Sequence, residues 1–336
     1  MTSDTWVLRT VTAGYQLEFT SPPPAFSRPL TTTIPTDKEK RLALRREIQE
    51  LLKKQAIEIV PPSKVAFHST FFLTPKKNGE WRPILNLKRL NKFIQPPPFK
   101  TESLAAVLPE LRNNWWAVTL DLKDAYLHVA IHHSSRRWLG FAYDNQTYRF
   151  KCLPFGLSTA PRTFTRVVKV IAEHFRKQGM FIFADLDDWL LTAPSSPEIL
   201  KSQLSRVLET VQNLGFIVNF KKSSLVPSQR LQFLGAILDF RRGMVFPSEE
   251  RVSDTVDTAS CLLQIESPPA GLWMRMQGLI ASMEFILPLC LMRMRVIQLH
   301  ALDNFNNQNS QSLMDYIIFS LCSFTNPFAS SFATLK

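Results

Sequence analysis

Three aspartates lie within four positions of an otherwise apolar run, in the stretch FIFADLDDWLL at residues 181–191. The surrounding Phe, Ile, Trp and Leu residues predict a buried β-hairpin whose tip carries Asp185, Asp187 and Asp188. Carboxylates in such a place lose hydration and repel one another, so a compensating partner has to hold them there. The hairpin therefore predicts a sheet with one strongly acidic end, and a cation is the partner we expect.

A second acidic strand end precedes this hairpin. In TLDLKDAYLHV, Asp121 ends an apolar strand 66 positions before Asp187. Acidic residues at the ends of two neighbouring strands can share a pair of divalent cations, and Mg²⁺ suits such a site because it leaves room for phosphate oxygens and water. The alternative is that each aspartate only ends a strand or begins a turn. The adjacent Asp187-Asp188 pair weighs against it, because uncompensated buried carboxylates are costly.

The charge of the chain is strongly positive. It has 40 Lys and Arg residues against 28 Asp and Glu residues, a net charge of +12, and residues 36–100 alone hold 15 basic and 6 acidic side chains. Such a concentration suits a polyanionic partner, because neutralised phosphates release counterions. The alternative is a basic surface that serves solubility only.

The order of the predicted elements indicates the fold class. The pattern at residues 36–39 predicts a helix start, and Asn78-Gly79 predicts a hairpin turn. Strand, helix, hairpin, helix and strand across 115–240 describe an α+β layer with helices on one face of an antiparallel sheet. The individual predictions are helices over 101–113, 161–178 and 198–214, and strands over 115–122, 137–143, 146–153, 216–220 and 230–240.

Several segments resemble the reverse transcriptases of retroelements, in the order that this family uses. They are FFLTPKKNGEWRPILNLKRLN, LDLKDAYLHVAI, LPFGLSTAPRTF, FADLDDWLL and LGFIVNFKKS followed by FLGAILD, and together they cover roughly 45–245. The amino-acid sequences of these segments are most similar to those of the polymerases of DIRS-like retrotransposons. The resemblance implies an RNA-directed DNA polymerase with a right-hand fold, in which an antiparallel palm sheet lies between fingers and a partial helical thumb.

The resemblance also implies a division of the chain. We expect an extended Pro-rich arm over 1–35, fingers and the start of the palm over 36–114, and the palm with its carboxylates over 115–245. A thumb-like helical region would follow over 246–302. The remaining residues, 303–336, would form a divergent tail without a ribonuclease H domain.

The resemblance assigns the site residue by residue. Asp121, Asp187 and Asp188 would be the catalytic carboxylates and the ligands of two Mg²⁺ ions, with Mn²⁺ as an alternative metal. The nucleotide would be bound by the finger side chains of Lys76 and Arg82, the backbone of Asp124 and Ala125, the ring of Tyr126 as a steric gate, Phe155, Gly156, and Lys221 or Lys222. The primer would contact Leu186 and the hairpin residues Phe233, Leu234 and Gly235.

One position departs from the family pattern. Asp185 occupies the place of an aromatic residue that packs beside the primer end, so it adds negative charge near the ions and the phosphate backbone. Two functions therefore stand: a polymerase that binds a template–primer duplex and deoxynucleoside triphosphates, and an inactive relic that binds nucleic acid through its basic fingers. Either protein is expected to be soluble and intracellular, in cytoplasm or nucleus, without a membrane partner. The sequence does not indicate an oligomeric state.

Overall fold

The fold is taken from a computed structural model of the chain. It describes residues 2–25, 32, 35–75, 79, 81–194, 196–287 and 289–306. Within these residues, helices and antiparallel sheets alternate along the chain, and the predicted α+β class is confirmed.

The α-helices of the described residues differ in length and position. They are α1 (Thr5–Ala13), α2 (Lys38–Lys53), α3 (Leu104–Val107), α4 (Ala160–Arg176), α5 (Pro197–Asn213), α6 (Glu249–Gln264), α7 (Ala270–Ala281) and α8 (Cys290–Asn306). None of them combines the length and the apolar character that a bilayer crossing requires.

The strands of the described residues form four antiparallel sheets, in the orders β7-β8-β4-β9, β1-β6-β5, β10-β11-β12 and β2-β3. They are β1 (Ile57–Ile59), β2 (Phe71–Pro75), β3 (Trp81–Leu85), β4 (Trp116–Asp121), β5 (Gly140–Tyr143), β6 (Gln146–Phe150), β7 (Phe181–Asp185), β8 (Asp188–Ala193), β9 (Ser224–Ser228), β10 (Arg230–Phe233), β11 (Ala236–Asp239) and β12 (Met244–Pro247).

The four-stranded sheet β7-β8-β4-β9 is the centre of the molecule. Helices α4 and α5 pack their apolar faces on it, and Trp189 in β8 is fully buried beneath them. The main core continues from this sheet to helix α2 and to strands β2, β5 and β6. A second core lies between the other face of the sheet, at Ala117 and Leu190, and the sheet β10-β11-β12. Because the central sheet is buried on both faces, it holds the residues at its end in defined positions.

Helices α6, α7 and α8 form a separate small core. Its largest buried side chain is Trp273, and Met276, Ile280 and Leu262 pack with it. These helices follow β12 directly, since Ser248 caps the start of α6 by accepting a hydrogen bond from the Arg251 N–H.

Several sequence predictions of local structure are corrected. The arm over 1–35 is not extended throughout, because residues 5–13 form α1, whose start is capped by the carboxylate of Asp4. Helix α2 begins one residue later than the sequence pattern indicates, with Asp37 as the cap. The helix over 101–113 is reduced to α3 and one 3₁₀ turn. The predicted boundary at 302 lies inside α8, and residues 307–336 of the predicted tail are outside the described residues.

The predicted strand at 216–220 is also wrong. Val218 makes one isolated bridge with Leu122, and the backbone N–H of Asn219 donates to the carbonyl of Asp121 at 2.8 Å. The strand that pairs with β4 on the side opposite β8 is instead β9, which the sequence prediction missed. Residues 216–223 therefore support the end of β4 from the side, as a loop.

Candidate active site

The acidic residues meet at one end of the central sheet. Asp121 is the last residue of β4 and lies directly opposite Asp188, the first residue of β8, in the register of the strands. Asp185 ends β7 and is also paired with Asp188, and Leu186 and Asp187 form the two-residue turn between β7 and β8. The structure thus brings together the carboxylates that the sequence placed 66 positions apart.

The turn between β7 and β8 is fixed by the strands around it. Leu186 has a φ of +54°, a left-handed conformation that a leucine adopts at a cost. Its carbonyl accepts a hydrogen bond of 3.0 Å from the indole N–H of the buried Trp189. The carbonyl of Asp187 accepts from the backbone N–H of Leu122 at 2.9 Å, which joins the turn to the chain just after Asp121. These bonds hold the turn in its strained shape.

Negative charge is concentrated at this end of the sheet. Loss of hydration and the charges of Asp187, Asp121 and Asp185 raise the pKa of Asp188 to about 6. Loss of hydration, and then the charges of Asp121 and Asp185, also raise the pKa of Asp187. The ionised cluster is therefore destabilised in the absence of a cation, because like charges in a poorly hydrated place disfavour one another.

The cluster fits a hard divalent cation in donor chemistry and in charge. Its donors are carboxylate oxygens, which Mg²⁺ prefers. The ammonium of Lys222 lies 4.0 Å from Oδ2 of Asp121, so a positive charge already stands beside one of the carboxylates. Within the described part of the chain, no three acidic, His or Cys side chains converge into a ready-made metal cluster. Asp121, Asp187 and Asp188 are the residues that would hold a metal.

Tyr126 faces the carboxylates from the turn that follows β4. Its ring packs against Phe155 and Phe164, with centroids 5.0 and 5.9 Å apart. Burial, and then the charges of Asp187 and Asp185, raise the pKa of Tyr126 to about 12. The hydroxyl is therefore protonated at neutral pH, and the ring forms an apolar wall beside the acidic cluster.

Asp124 and Ala125 lie in the tight turn before Tyr126. Asp124 has a φ of +53° and begins the 3₁₀ turn that contains Ala125. The ammonium of Lys54, at the end of α2, lies 2.9 Å from Oδ2 of Asp124. Sequence reasoning did not single out Lys54, because its partner is 70 positions away.

Gly156 allows the turn at residues 154–157 to lie against the end of β3. Its φ is +106°, and a Cβ at this position would come within 2.2 Å of the carbonyl oxygen of Leu85. The side-chain amide of Asn91 donates to the carbonyl of Gly156 at 2.8 Å, and its Oδ1 accepts from the N–H of Ser158 at 3.1 Å. Asn91 is thus a second residue of the site that the sequence did not reveal.

The structure describes Arg82, Lys221 and Lys222 among the basic residues predicted to bind the nucleotide. Arg82 is exposed in β3, and its positive charge partly offsets the rise in the pKa of Tyr126 that burial causes. Lys76 lies outside the described residues. Lys221 and Lys222 are both exposed in the loop before β9, and the ammonium of Lys222 approaches Asp121.

The hairpin over 230–239 turns at Leu234 and Gly235, both in left-handed conformations. Arg251 of α6 donates one hydrogen bond of 3.0 Å to the carbonyl of Leu234 and another of 3.0 Å to the carbonyl of Ser282. Phe233 is only 3% exposed, because strand alternation directs its side chain into the second core, and its role as a primer contact stays a prediction. Arg251 is a further residue that the sequence did not reveal.

Comparison with known proteins agrees with this geometry. Residues 74–238 match the family model described as Reverse transcriptase (RNA-dependent DNA polymerase). The chain is 30% identical over 198 residues to the Retrovirus-related Pol polyprotein from transposon opus of Drosophila melanogaster, which covers 57% of this chain and 19% of that protein. It is 26% identical over 196 residues to the Transposon Tf2-3 polyprotein of Schizosaccharomyces pombe, covering 58% of this chain and 14% of that protein. The chain thus spans less than a fifth of the length of these relatives.

Solved structures share the fold. The foamy viral protease-reverse transcriptase dRH in complex with double-stranded DNA superposes with a TM-score of 0.70 at 18% identity, covering 90% of this chain and 52% of that chain. The same viral protease-reverse transcriptase in complex with an RNA/DNA hybrid gives a TM-score of 0.67 at 18% identity, over 90% of this chain and 40% of that chain. The predicted right-hand polymerase fold is confirmed. Residues 74–238 of this chain are therefore a domain of the reverse transcriptase family, of the kind that retroelement polyproteins carry.

Proposed function

We propose that the chain is an RNA-directed DNA polymerase that extends a primer on an RNA or DNA template by two-metal nucleotidyl transfer. One observation carries this proposal: Asp121 and Asp188 lie opposite each other with Asp187 in the adjoining turn, inside the segment that matches the family. The amino-acid sequences of the ordered motifs support a DIRS-like retrotransposon as the source of this chain.

The carboxylates of Asp121, Asp187 and Asp188 would hold two Mg²⁺ ions, or Mn²⁺ in their place. Divalent metal ions are general in this family. When bound, they supply the charge that lowers the pKa of the primer 3′-hydroxyl and neutralises the leaving pyrophosphate. The chain's own contribution is to fix the carboxylates on a buried sheet, so that little reorganisation is needed during the reaction.

The nucleotide would lie between the fingers and the acidic sheet end. Arg82 and Lys76 would bind the triphosphate, and the backbone N–H groups of Asp124 and Ala125 would donate to it. The wall formed by Tyr126 against Phe155 supports selection of deoxynucleotides by exclusion of a 2′-hydroxyl. Lys222 is favoured over Lys221 as the proton donor to pyrophosphate, because its ammonium approaches Asp121.

The template–primer duplex is the proposed partner. The basic composition of residues 36–100 supports it, and so do the duplexes bound to the foamy viral proteins. We assign the fingers and the start of the palm to 36–114, the palm to 115–245 and the thumb to the helices that follow β12. Leu186, Phe233, Leu234 and Gly235 are the proposed primer contacts.

A second candidate function is an inactive relic that binds nucleic acid, and Asp185 favours it. Its Oδ1 is buried without a hydrogen-bond partner in the described part of the chain. Burial raises its pKa, and the Glu102 charge adds to this, although a hydrogen bond from Thr101 opposes the shift. The carboxylate is thus poorly accommodated where an aromatic ring would pack.

Primer extension on an RNA template distinguishes the two functions. We expect Mg²⁺-dependent extension by the natural chain and none by Asp121→Asn, with faster extension by Asp185→Tyr. Extension by Asp185→Tyr alone would identify Asp185 as an inactivating change. If neither the natural chain nor Asp185→Tyr extends the primer, the polymerase function is refuted. Salt-sensitive duplex binding that survives Asp121→Asn would then favour the inactive relic.

A further inference from the structure

Strand β7, which leads to the acidic turn, is an edge strand of the central sheet. Its pairing with β8 makes Asp185 and Asp188 the closing pair, so the backbone groups of Ile182 and Ala184 point away from β8. Both residues are buried, at 1% and 4% exposure. Their outward N–H and C=O groups therefore need partners from outside the sheet.

Two charged side chains supply these partners. Arg176, in the last turn of α4, donates to the carbonyl of Ile182 from Nε at 2.8 Å and from Nη2 at 2.6 Å. Glu102, just before α3, accepts the backbone N–H of Ala184 at 2.8 Å. Nη2 of Arg176 also lies 2.7 Å from both carboxylate oxygens of Glu102. We call this pair and its backbone contacts the edge clamp.

The edge clamp acts on the catalytic hairpin next to its tip. Ala184 is one residue before Asp185 and three before Asp187, so the clamp fixes the strand that carries the turn. It joins this strand to the end of α4 and to a segment 82 positions earlier in the chain. Charge-assisted bonds between partly buried groups are stronger than neutral ones, and they give the strand one defined position.

We propose that Glu102 and Arg176 are positioning residues that hold Asp187 and Asp188 in register with Asp121 for metal binding. This inference rests on the proposed polymerase function, because it assigns the clamp a task in the same site. Neither residue is one of the proposed metal ligands. Outer partners of this kind typically change metal affinity by about 10–100-fold when they are removed.

Helix α4 offers a matched control. Arg166 lies ten positions before Arg176 and pairs with the carboxylate of Asp4 at 3.0–3.1 Å, with similar exposure. Its partner belongs to the segment before α1, so Arg166→Ala removes a comparable ion pair without touching β7. A loss of general stability would affect both arginine variants, whereas a loss of positioning would affect only Arg176→Ala.

The test measures Mn²⁺ binding by the full chain and hydrogen exchange of the amides at 184–190, with Mn²⁺ alone as the probe. We expect Arg176→Ala and Glu102→Ala to bind Mn²⁺ about tenfold more weakly and to exchange faster at 186–189. Glu102→Gln, which keeps an acceptor for Ala184, should lose less. Arg166→Ala should match the natural chain in both measurements.

Two results would overturn the inference. The first is unchanged Mn²⁺ affinity in folded Arg176→Ala and Glu102→Ala, because the pair then only protects an edge strand. The second is an equal loss of affinity in Arg166→Ala. If the natural chain binds no Mn²⁺, the proposed function fails, and hydrogen exchange alone tests the edge clamp. Unchanged exchange at 186–189 in both alanine variants then refutes the clamp, whereas faster exchange supports it.

Discussion

Replacement of Gly156 by alanine tests how tightly the turn at 154–157 lies against β3. The new Cβ would stand 2.2 Å from the carbonyl oxygen of Leu85, and Gly156 has a φ of +106°. This carbonyl is held in place, since it accepts a 2.9 Å hydrogen bond from the N–H of Leu87. The left-handed conformation costs an alanine about 1–2 kcal/mol, and forced repacking costs about 1–3 kcal/mol more. Gly156→Ala should therefore lower the free energy of unfolding by about 2–5 kcal/mol.

Gly215 provides the control for this measurement. It also has a positive φ, +88°, but a Cβ there would meet nothing within 4 Å. Gly215→Ala should thus lose only the conformational part, about 1–2 kcal/mol. Urea unfolding of both variants and the natural chain gives the difference, and the KM for deoxynucleotide should rise only in Gly156→Ala. Equal losses of stability in the two variants would refute the close approach of the turn to Leu85.

Three further predictions concern the charged groups of the site. Lys54→Met leaves the Asp124 carboxylate uncompensated beside the proposed triphosphate site, so the KM for deoxynucleotide should rise about fivefold, with Lys54→Arg close to the natural chain. Steady-state primer extension measures this, and an unchanged KM would contradict it. The pKa of Asp188 is raised from 3.8 to about 6, so its contribution to stability is present below about pH 4 and is lost as pH rises through 6. Because Mg²⁺ favours the ionised form, it should raise the melting temperature more at pH 7.5 than at pH 5, and a shift independent of pH or kept by Asp188→Asn would speak against this reasoning. Arg251→Ala should lower the free energy of unfolding by about 1.5–3 kcal/mol, since the carbonyls of Leu234 and Ser282 lose a charged donor. Arg242 is exposed, so Arg242→Ala should change the free energy of unfolding by no more than about 0.5 kcal/mol in the same denaturation assay.

The sequence predicts those parts of the fold that depend on local pattern. The hairpin over 181–191 is present as β7 and β8, because a continuous apolar run stands on each side of a two-residue turn. Helices α4 and α5 begin and end within a few residues of the predicted ranges, since one apolar face decides them. The apolar strand end at Asp121 is likewise correct.

The remaining features depend on contacts between distant segments. Residues 216–220 have an apolar pattern typical of a strand, but β9 takes the place beside β4. The side chain of Phe233 lies in the second core because of the alternation of β10, a contact that the sequence does not predict. Asn91, Glu102 and Arg251 have unremarkable sequence surroundings, and each gains its role from a partner 17 to 82 positions away.

The two hydrogen bonds of Arg251 have a mechanical consequence. One guanidinium joins the tip of the β10-β11 hairpin, the start of α6 and the end of α7. A rotation of the C-terminal helices must therefore break these bonds or pull the hairpin tip along with them. In the proposed polymerase, movement of these helices toward a duplex and placement of the primer end by the hairpin would then be one coupled motion.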